Sequence, residues 1–244
     1  MHIRSVGIVG HGKFGSFLCE LIARFAPEVE IRVYSRRHQP DGTCFFSLED
    51  TAACDAVILT VPIHAFEENL VKTLSHIPPQ SVIVDVATVK LHTLDMLKRH
   101  ASGRRYIATH PMFGPESYRK QEKEVTGLRI VITEHTLQED EHRAIAEVLR
   151  RLGFEVVHMS ADQHDKHLAE TLFLTHFLGQ VISRAKFDRT EIDTVSFGYL
   201  MNAVESVKHD TKLFQDVYRF NPHCREVLDR FDISEREVRA LLEK

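Results

Sequence analysis

Val6-Gly7-Ile8-Val9-Gly10-His11-Gly12-Lys13-Phe14-Gly15 is the stretch whose reading decides the fold. An apolar run (Ile3, Val6, Ile8, Val9) breaks into glycines spaced G-x-G-x-x-G, and Phe14, Phe17, Leu18, Leu21, Ile22 and Phe25 then recur at helical spacing. Strand, tight turn and helix in that order make a dinucleotide-binding unit. Gly10 permits the turn, Gly12 lets a diphosphate approach the backbone, and Gly15 lets helix and strand pack closely. The helix start, at Lys13 and Phe14, presents N–H groups to phosphate. A purely structural glycine turn is the alternative.

Ile31-Arg32-Val33-Tyr34 reads as the second strand and ends in Ser35-Arg36-Arg37. An acidic side chain at this tip would hold the ribose 2′-OH of NAD. A hydroxyl and two guanidiniums, each able to bind phosphate bidentately, predict NADP over NAD, against the alternative of a solvated basic loop. Ala56 to Val61 is continuous enough to be a buried parallel strand, which sets Thr60, Val61 and Pro62 beside the cofactor, since ligands lie beyond the carboxyl ends of such strands. The strand Ser81 to Val86 runs into Ala87-Thr88-Val89-Lys90, a hydroxyl and a cation pointing at the nicotinamide end. Thr88 as a helix N-cap is the competing reading.

A short strand, Tyr106 to Ala108, delivers the loop Thr109 to Ser117, with His110 at its root and placed for general acid or base work. The charged residues Tyr118 to Thr126 read as a mobile flap or surface segment. A strand (Leu128 to Thr133), a helix (Asp140 to Leu152) and a closing strand (Glu155 to His158) follow. From Ser160 every segment has helical period, and Leu168, Leu172, Phe173, Phe177, Leu178 and Val181 form a wide stripe suited to burial on several sides. The expected architecture is α/β: a Rossmann dinucleotide-binding domain over 1–158 and an all-helical domain over 159–244.

Composition narrows the class. The chain has 244 residues, 43% hydrophobic and 27% charged, with a net charge of −4, which suits a folded protein and gives no electrostatic footprint for nucleic acid. No apolar run approaches the roughly 20 residues of a membrane span, and no signal-type segment precedes the first strand, so a cytoplasmic protein without a membrane partner is expected. Cys19, Cys44, Cys54 and Cys224 are scattered and read as reduced thiols. Sixteen histidines include His158, His164, His167 and His176, but without close cysteines or an H-E-x-x-H motif no metal is expected.

Taken together, Gly10-x-Gly12-x-x-Gly15, Asp85-Val86-Ala87-Thr88-Val89-Lys90, Thr109-His110-Pro111-Met112-Phe113-Gly114-Pro115, Gln163-His164-Asp165 and Leu174-Thr175-His176-Phe177 resemble the prephenate/arogenate dehydrogenase family of tyrosine biosynthesis. The compact length and the ending Leu213 to Pro222 look more like its arogenate-type branch. The resemblance implies an oxidative decarboxylation of a cyclohexadienol, arogenate or prephenate. His110 would take a hydrogen bond or proton from the C4 hydroxyl, and Thr88, where the family usually has serine, would hold that hydroxyl. Ala87 would border the cofactor. Lys90 would orient the nicotinamide region or a carboxylate, or form a structural ion pair. The helical domain would complete the substrate pocket with His164, Thr175, His176 and Gln180, each alternatively a satisfied polar residue, and would make a homodimer. Asp210 is the candidate acid for arogenate's amino group. Two alternatives stand beside this reading: another small NADP-dependent Rossmann reductase, or a non-catalytic NADP(H) sensor.

Overall fold

The computed structural model describes residues 3–243. Contacts divide the chain into two compact units, Met1–Ala161 and Asp162–Lys244.

In the first unit, runs rich in β-branched residues form β1 (Ser5–Val9), β2 (Glu30–Tyr34), β3 (Ala56–Leu59), β4 (Val82–Asp85), β5 (Arg105–Pro111), β6 (Arg129–His135) and β7 (Glu155–His158). They make one seven-stranded sheet in the order β2-β1-β3-β4-β5-β6-β7. The first five are parallel, β6 runs antiparallel to β5, and β7 follows β6 in parallel. Helices α1 (Lys13–Phe25), α2 (Leu48–Ala52), α3 (Phe66–Leu74), α4 (Lys90–His100), α5 (Pro115–Lys120) and α6 (Glu139–Arg151) join the strands. All of β3 is buried, as expected of a parallel strand covered on both faces. One core cluster holds Val6, Ile8, Val33, Ala56 and Ile58, and another packs Phe17 and Leu21 of α1 against Phe113, Tyr118, Val125 and Phe154.

One sequence expectation is corrected here and one is narrowed. Strand β5 is longer than Tyr106 to Ala108 and contains His110, which pairs with Val131 of β6 and is buried. Of the two readings of the charged segment, flap or surface segment, the second describes residues 119–124, which are exposed between two buried anchors. Tyr118 is 1% exposed and Val125 2%, and Arg24 of α1 donates to the Tyr118 hydroxyl and to the Lys123 carbonyl, so the segment is anchored on the core. Burial of those two side chains outweighs the solvation of their charged neighbours.

The turn after β4 is held by a buried polar knot. Asp85 Oδ1 accepts the Ala87 N–H at 2.8 Å, while Oδ2 accepts from Lys90 Nζ and Thr93 Oγ1, each at 2.6 Å. Lys90 Nζ also donates to the Thr109 carbonyl at 2.6 Å, and Thr109 Oγ1 donates to the Asp85 carbonyl at 2.8 Å. Asp85, Lys90 and Thr93 are all 0% exposed. Lys90 is therefore the structural ion pair and not a substrate ligand. Thr88 does not cap α4 either, because the N-cap is Val89 and no side chain caps that helix.

In the second unit the chain begins in α7 (Ala161–Leu168), passes through a π-turn over Ala169–Phe173, and continues as α8 (Leu174–Arg184). Helices α9 (Val195–Val207), α10 (Thr211–Phe220) and α11 (Cys224–Leu241) complete it. Phe173 stacks on Phe214 at 5.3 Å and on Tyr218 at 5.8 Å. Gly179 lets α8 approach α9, since a Cβ there would lie 2.3 Å from a Val207 methyl. Among the described residues no helix is long and apolar enough to cross a membrane.

The buried knot gives a stability prediction. Replacing Lys90 by methionine strands the Asp85 carboxylate without its cation, and the unfolding free energy should fall by about 3–5 kcal/mol. Urea denaturation followed by circular dichroism measures this, and a loss below about 1 kcal/mol would show that the pair does not hold the turn.

Candidate functional site

Gly10 adopts φ +114°, and a Cβ there would meet the Thr60 carbonyl at 2.8 Å, so only glycine makes this turn without strain. A Cβ on Gly15 would lie 2.3 Å from the Gly10 carbonyl oxygen, which fixes how closely α1 approaches the turn. Gly12 differs: nothing lies within 4 Å of its hypothetical Cβ, so a methyl there would project into open space. Gly12 is also the N-cap of α1, without a side-chain cap and with no acidic residue in the first turn. The first N–H groups of a helix lack intrahelical acceptors, and here no side-chain cap or acidic group competes with an anion for them. The residues fit a dinucleotide diphosphate.

Of the sequence-predicted neighbours, Phe14 turns its ring into the core beside Phe17, leaving its backbone for the ligand. Thr60 braces the turn from below, its hydroxyl donating to the Gly10 carbonyl at 2.8 Å. Lys13 and Pro62 are exposed and Val61 half-buried at the same end of the sheet. The β2 tip is tied to the turn by Gly10 N–H, which donates to the Tyr34 carbonyl at 2.9 Å. Ser35 is buried and accepts the Arg37 N–H at 3.2 Å, while Arg36 and Arg37 are exposed.

Beside this tip stands an aromatic group that sequence reasoning missed. The His11 ring meets Phe45 edge-on at 5.0 Å and His38 at 5.5 Å, and His38 stacks on Phe45 at 4.2 Å. Asp41 organises the loop, accepting from the backbone N–H groups of Thr43, Cys44 and Phe45, which hold its carboxyl far below the usual carboxylate range. Burial and the neighbouring His38 lower the pKa of His11. The pattern H-x-G after a strand, with a second histidine past the arginines, was the available signal.

At the other end of the crevice, β4 and β5 pair Asp85 with Ala108, so the turn bearing Ala87 and Thr88 and the strand end bearing His110 are neighbours. A register shift between Ala108 and Thr109 in the β5–β6 pairing redirects the chain just before His110. His110 is 6% exposed, Ala87 is buried and Thr88 half-buried. A hydroxyl and an imidazole at adjacent strand ends are suited to hold an alcohol and take its proton.

Within the second unit, His176 Nδ1–H donates to the Leu172 carbonyl at 2.9 Å, which makes Nε2 the acceptor nitrogen. That Nε2 is buried with no hydrogen-bond partner. His164 is buried and donates to Asp165 at 2.8 Å. Gln180, expected at the substrate, instead donates to the Val207 and Lys208 carbonyls at the end of α9, so it is a structural tie. Thr175 is exposed and donates to Thr171, and Asp210 is half-buried at the start of α10.

Residues 41–150 match the family described as "Prephenate dehydrogenase, nucleotide-binding domain", a span that includes Thr60, the Asp85 knot, Thr88 and His110. The chain is 31% identical over 257 residues to arogenate dehydrogenase 1, chloroplastic, of Arabidopsis thaliana, an alignment covering 97% of this chain and 39% of that protein. It thus spans well under half the length of that relative. Cyclohexadienyl dehydrogenase of Zymomonas mobilis is 24% identical over 263 residues, covering 98% of this chain and 88% of that one. The prephenate dehydrogenase of Aquifex aeolicus, solved with hydroxyphenyl propionate and NAD+, shares the fold with a TM-score of 0.74 at 18% identity, over 99% of this chain and 91% of that one. The family match falls on the strand ends that carry Thr88 and His110, and the Arabidopsis likeness runs the length of the sequence: residues 41–150 belong to the prephenate dehydrogenase nucleotide-binding family, and the chain as a whole is similar to arogenate dehydrogenase.

Proposed function

We propose that the protein is an NADP-dependent dehydrogenase that oxidatively decarboxylates arogenate to tyrosine, or prephenate to 4-hydroxyphenylpyruvate. The observation that carries this reading is the position of His110: buried in the end of β5, beside the Thr88 turn, on the same edge of the sheet as the glycine turn. A nicotinamide held through the glycine turn at Gly10, Gly12 and Gly15 would supply the hydride acceptor for C4, the ring carboxylate being lost as CO2. His110 accepts the proton of the C4 hydroxyl and returns it to that oxygen as the ring becomes aromatic, and Thr88 orients that hydroxyl. The burial of His110 limits competition from water. The Asp85–Lys90 pair keeps the two strand ends in register and touches no substrate.

Gly10, Gly12, Gly15 and the start of α1 are assigned to the diphosphate, and Ser35, Arg36 and Arg37 to a 2′-phosphate. The Aquifex protein holds NAD+; here two exposed guanidiniums and no carboxylate at the β2 tip favour the phosphorylated cofactor. His164, His176 and Asp210 of the second unit are assigned to the substrate, Asp210 to the amino group that distinguishes arogenate. Exposed apolar residues on the helical unit, among them Val195, Tyr199 and Leu242, support a homodimer through these helices.

Three outcomes are expected. Reduced nicotinamide should form from one of the two substrates, faster with NADP than with NAD, in an assay of all four combinations. Absence of turnover with NADP still bound would move the protein to another reductase class or to a sensor. His110→Asn should lower kcat by about 10²–10⁴-fold with cofactor binding unchanged by fluorescence titration. Arg36→Ala with Arg37→Ala should weaken NADP by at least about tenfold and leave NAD near normal, since each lost charge-assisted hydrogen bond is worth roughly 1.5–3 kcal/mol. Equal losses for both cofactors would remove the 2′-phosphate assignment.

A further inference from the structure

Away from the cofactor edge, three side chains converge that the proposed reaction does not use. His135 ends β6, Glu139 opens α6, and His142 lies one helical turn further on, so Glu139 and His142 share a face. One ligand atom from each lies within 4.8 Å of the other two. The His135 and His142 rings stack at 3.9 Å, and His158 of β7 meets His142 edge-on at 5.1 Å. Both ring nitrogens of His142 and Nδ1 of His135 are buried without a hydrogen-bond partner. Buried imidazole nitrogens usually find partners, so an uncompensated group of them calls for a ligand. The cluster opens into a groove of about 470 Å³ lined also by Ile132, Thr133, Glu134, Met159 and Ser160.

We propose that His135, Glu139 and His142 bind a divalent transition-metal ion of the zinc type, with a fourth position open to the groove beside His158. Two imidazoles and one carboxylate suit Zn2+, Fe2+ or Ni2+, whereas Mg2+ and Ca2+ take oxygen ligands. Imidazole binds metal only when neutral. The His quartet 158, 164, 167 and 176, weighed from sequence, is a different set: only His158 belongs to this unit.

The site is remote from the reaction. His135 pairs with Ile107 while His110 pairs with Val131, four residues along β6, or about 13 Å. The metal joins a strand end to the first turn of the following helix, so its effect is on the stability of the outer sheet.

The test uses the full chain stripped with EDTA and titrated with Co2+ by visible absorbance and with Zn2+ by calorimetry. One equivalent should bind, Zn2+ should displace Co2+ and its visible bands, and the melting temperature should rise with Zn2+. The His135→Ala/His142→Ala double variant should lose more than about 100-fold in affinity, beyond the 10–100-fold cost of losing a supporting partner. Glu139→Gln, at an exposed position, should fold normally and weaken binding by at least about tenfold. No saturable binding by the unmodified chain, or unchanged affinity in Glu139→Gln, would overturn the proposal. So would unchanged affinity in the double variant.

Discussion

A carboxylate and an ammonium, neither exposed to water, hold the centre of this sheet together. Removing both charges from solvent is expensive, and the expense is offset because Asp85 accepts three hydrogen bonds and Lys90 donates two. The bonds connect the β4 turn, the first turn of α4 and the end of β5. A buried network bonded this densely permits few alternative arrangements. Thr88 and His110 inherit their positions from it, although neither supplies a side chain to the bonds quoted. An apolar pair of the same volume would fill the space but would not dictate how the two strand ends meet.

The opposite half of the crevice is built by exclusion. At Gly10 and Gly15 a methyl group would collide with backbone, and at Gly12 it would collide with nothing in the protein. Gly10 and Gly15 serve the fold, and Gly12 leaves room for something that is not protein. Around the β2 tip stand two guanidiniums and two imidazoles; of the carboxylates nearby, Asp41 is engaged with its own loop, and Glu68, which feels Arg36, is paired with Lys72. The local field favours an anion.

Features carried by short spacing were legible in the sequence. The glycine turn, the buried parallel strands and the change to helical period after Ser160 are all patterns within a window of a few residues. What escaped depends on partners far along the chain. Lys90 reads equally as a ligand or an ion pair until Thr109, nineteen residues on, is seen to accept from it. Pro111 suggests that β5 stops early, yet it pairs with Ile130 at the strand's very end, where a missing N–H is tolerated. The charges of residues 118–126 concealed Tyr118 and Val125, two apolar side chains whose burial decides the segment. His135, Glu139 and His142 cross from strand to helix and match no short motif, so only the folded chain brings them together.

The π-turn at Ala169–Phe173 accommodates one residue more than a regular helical turn. Each residue advances a helix by about 100°, so the face that α8 turns inward, with His176, Gly179 and Gln180, is out of phase with that of α7. The wide apolar stripe in the sequence is the sum of two narrower stripes offset by this slip. Helix and function are thereby coupled through phase: excising a single residue between 169 and 173 would leave composition and hydrophobicity almost untouched, yet would rotate every downstream side chain of the helix by more than a quarter of a turn.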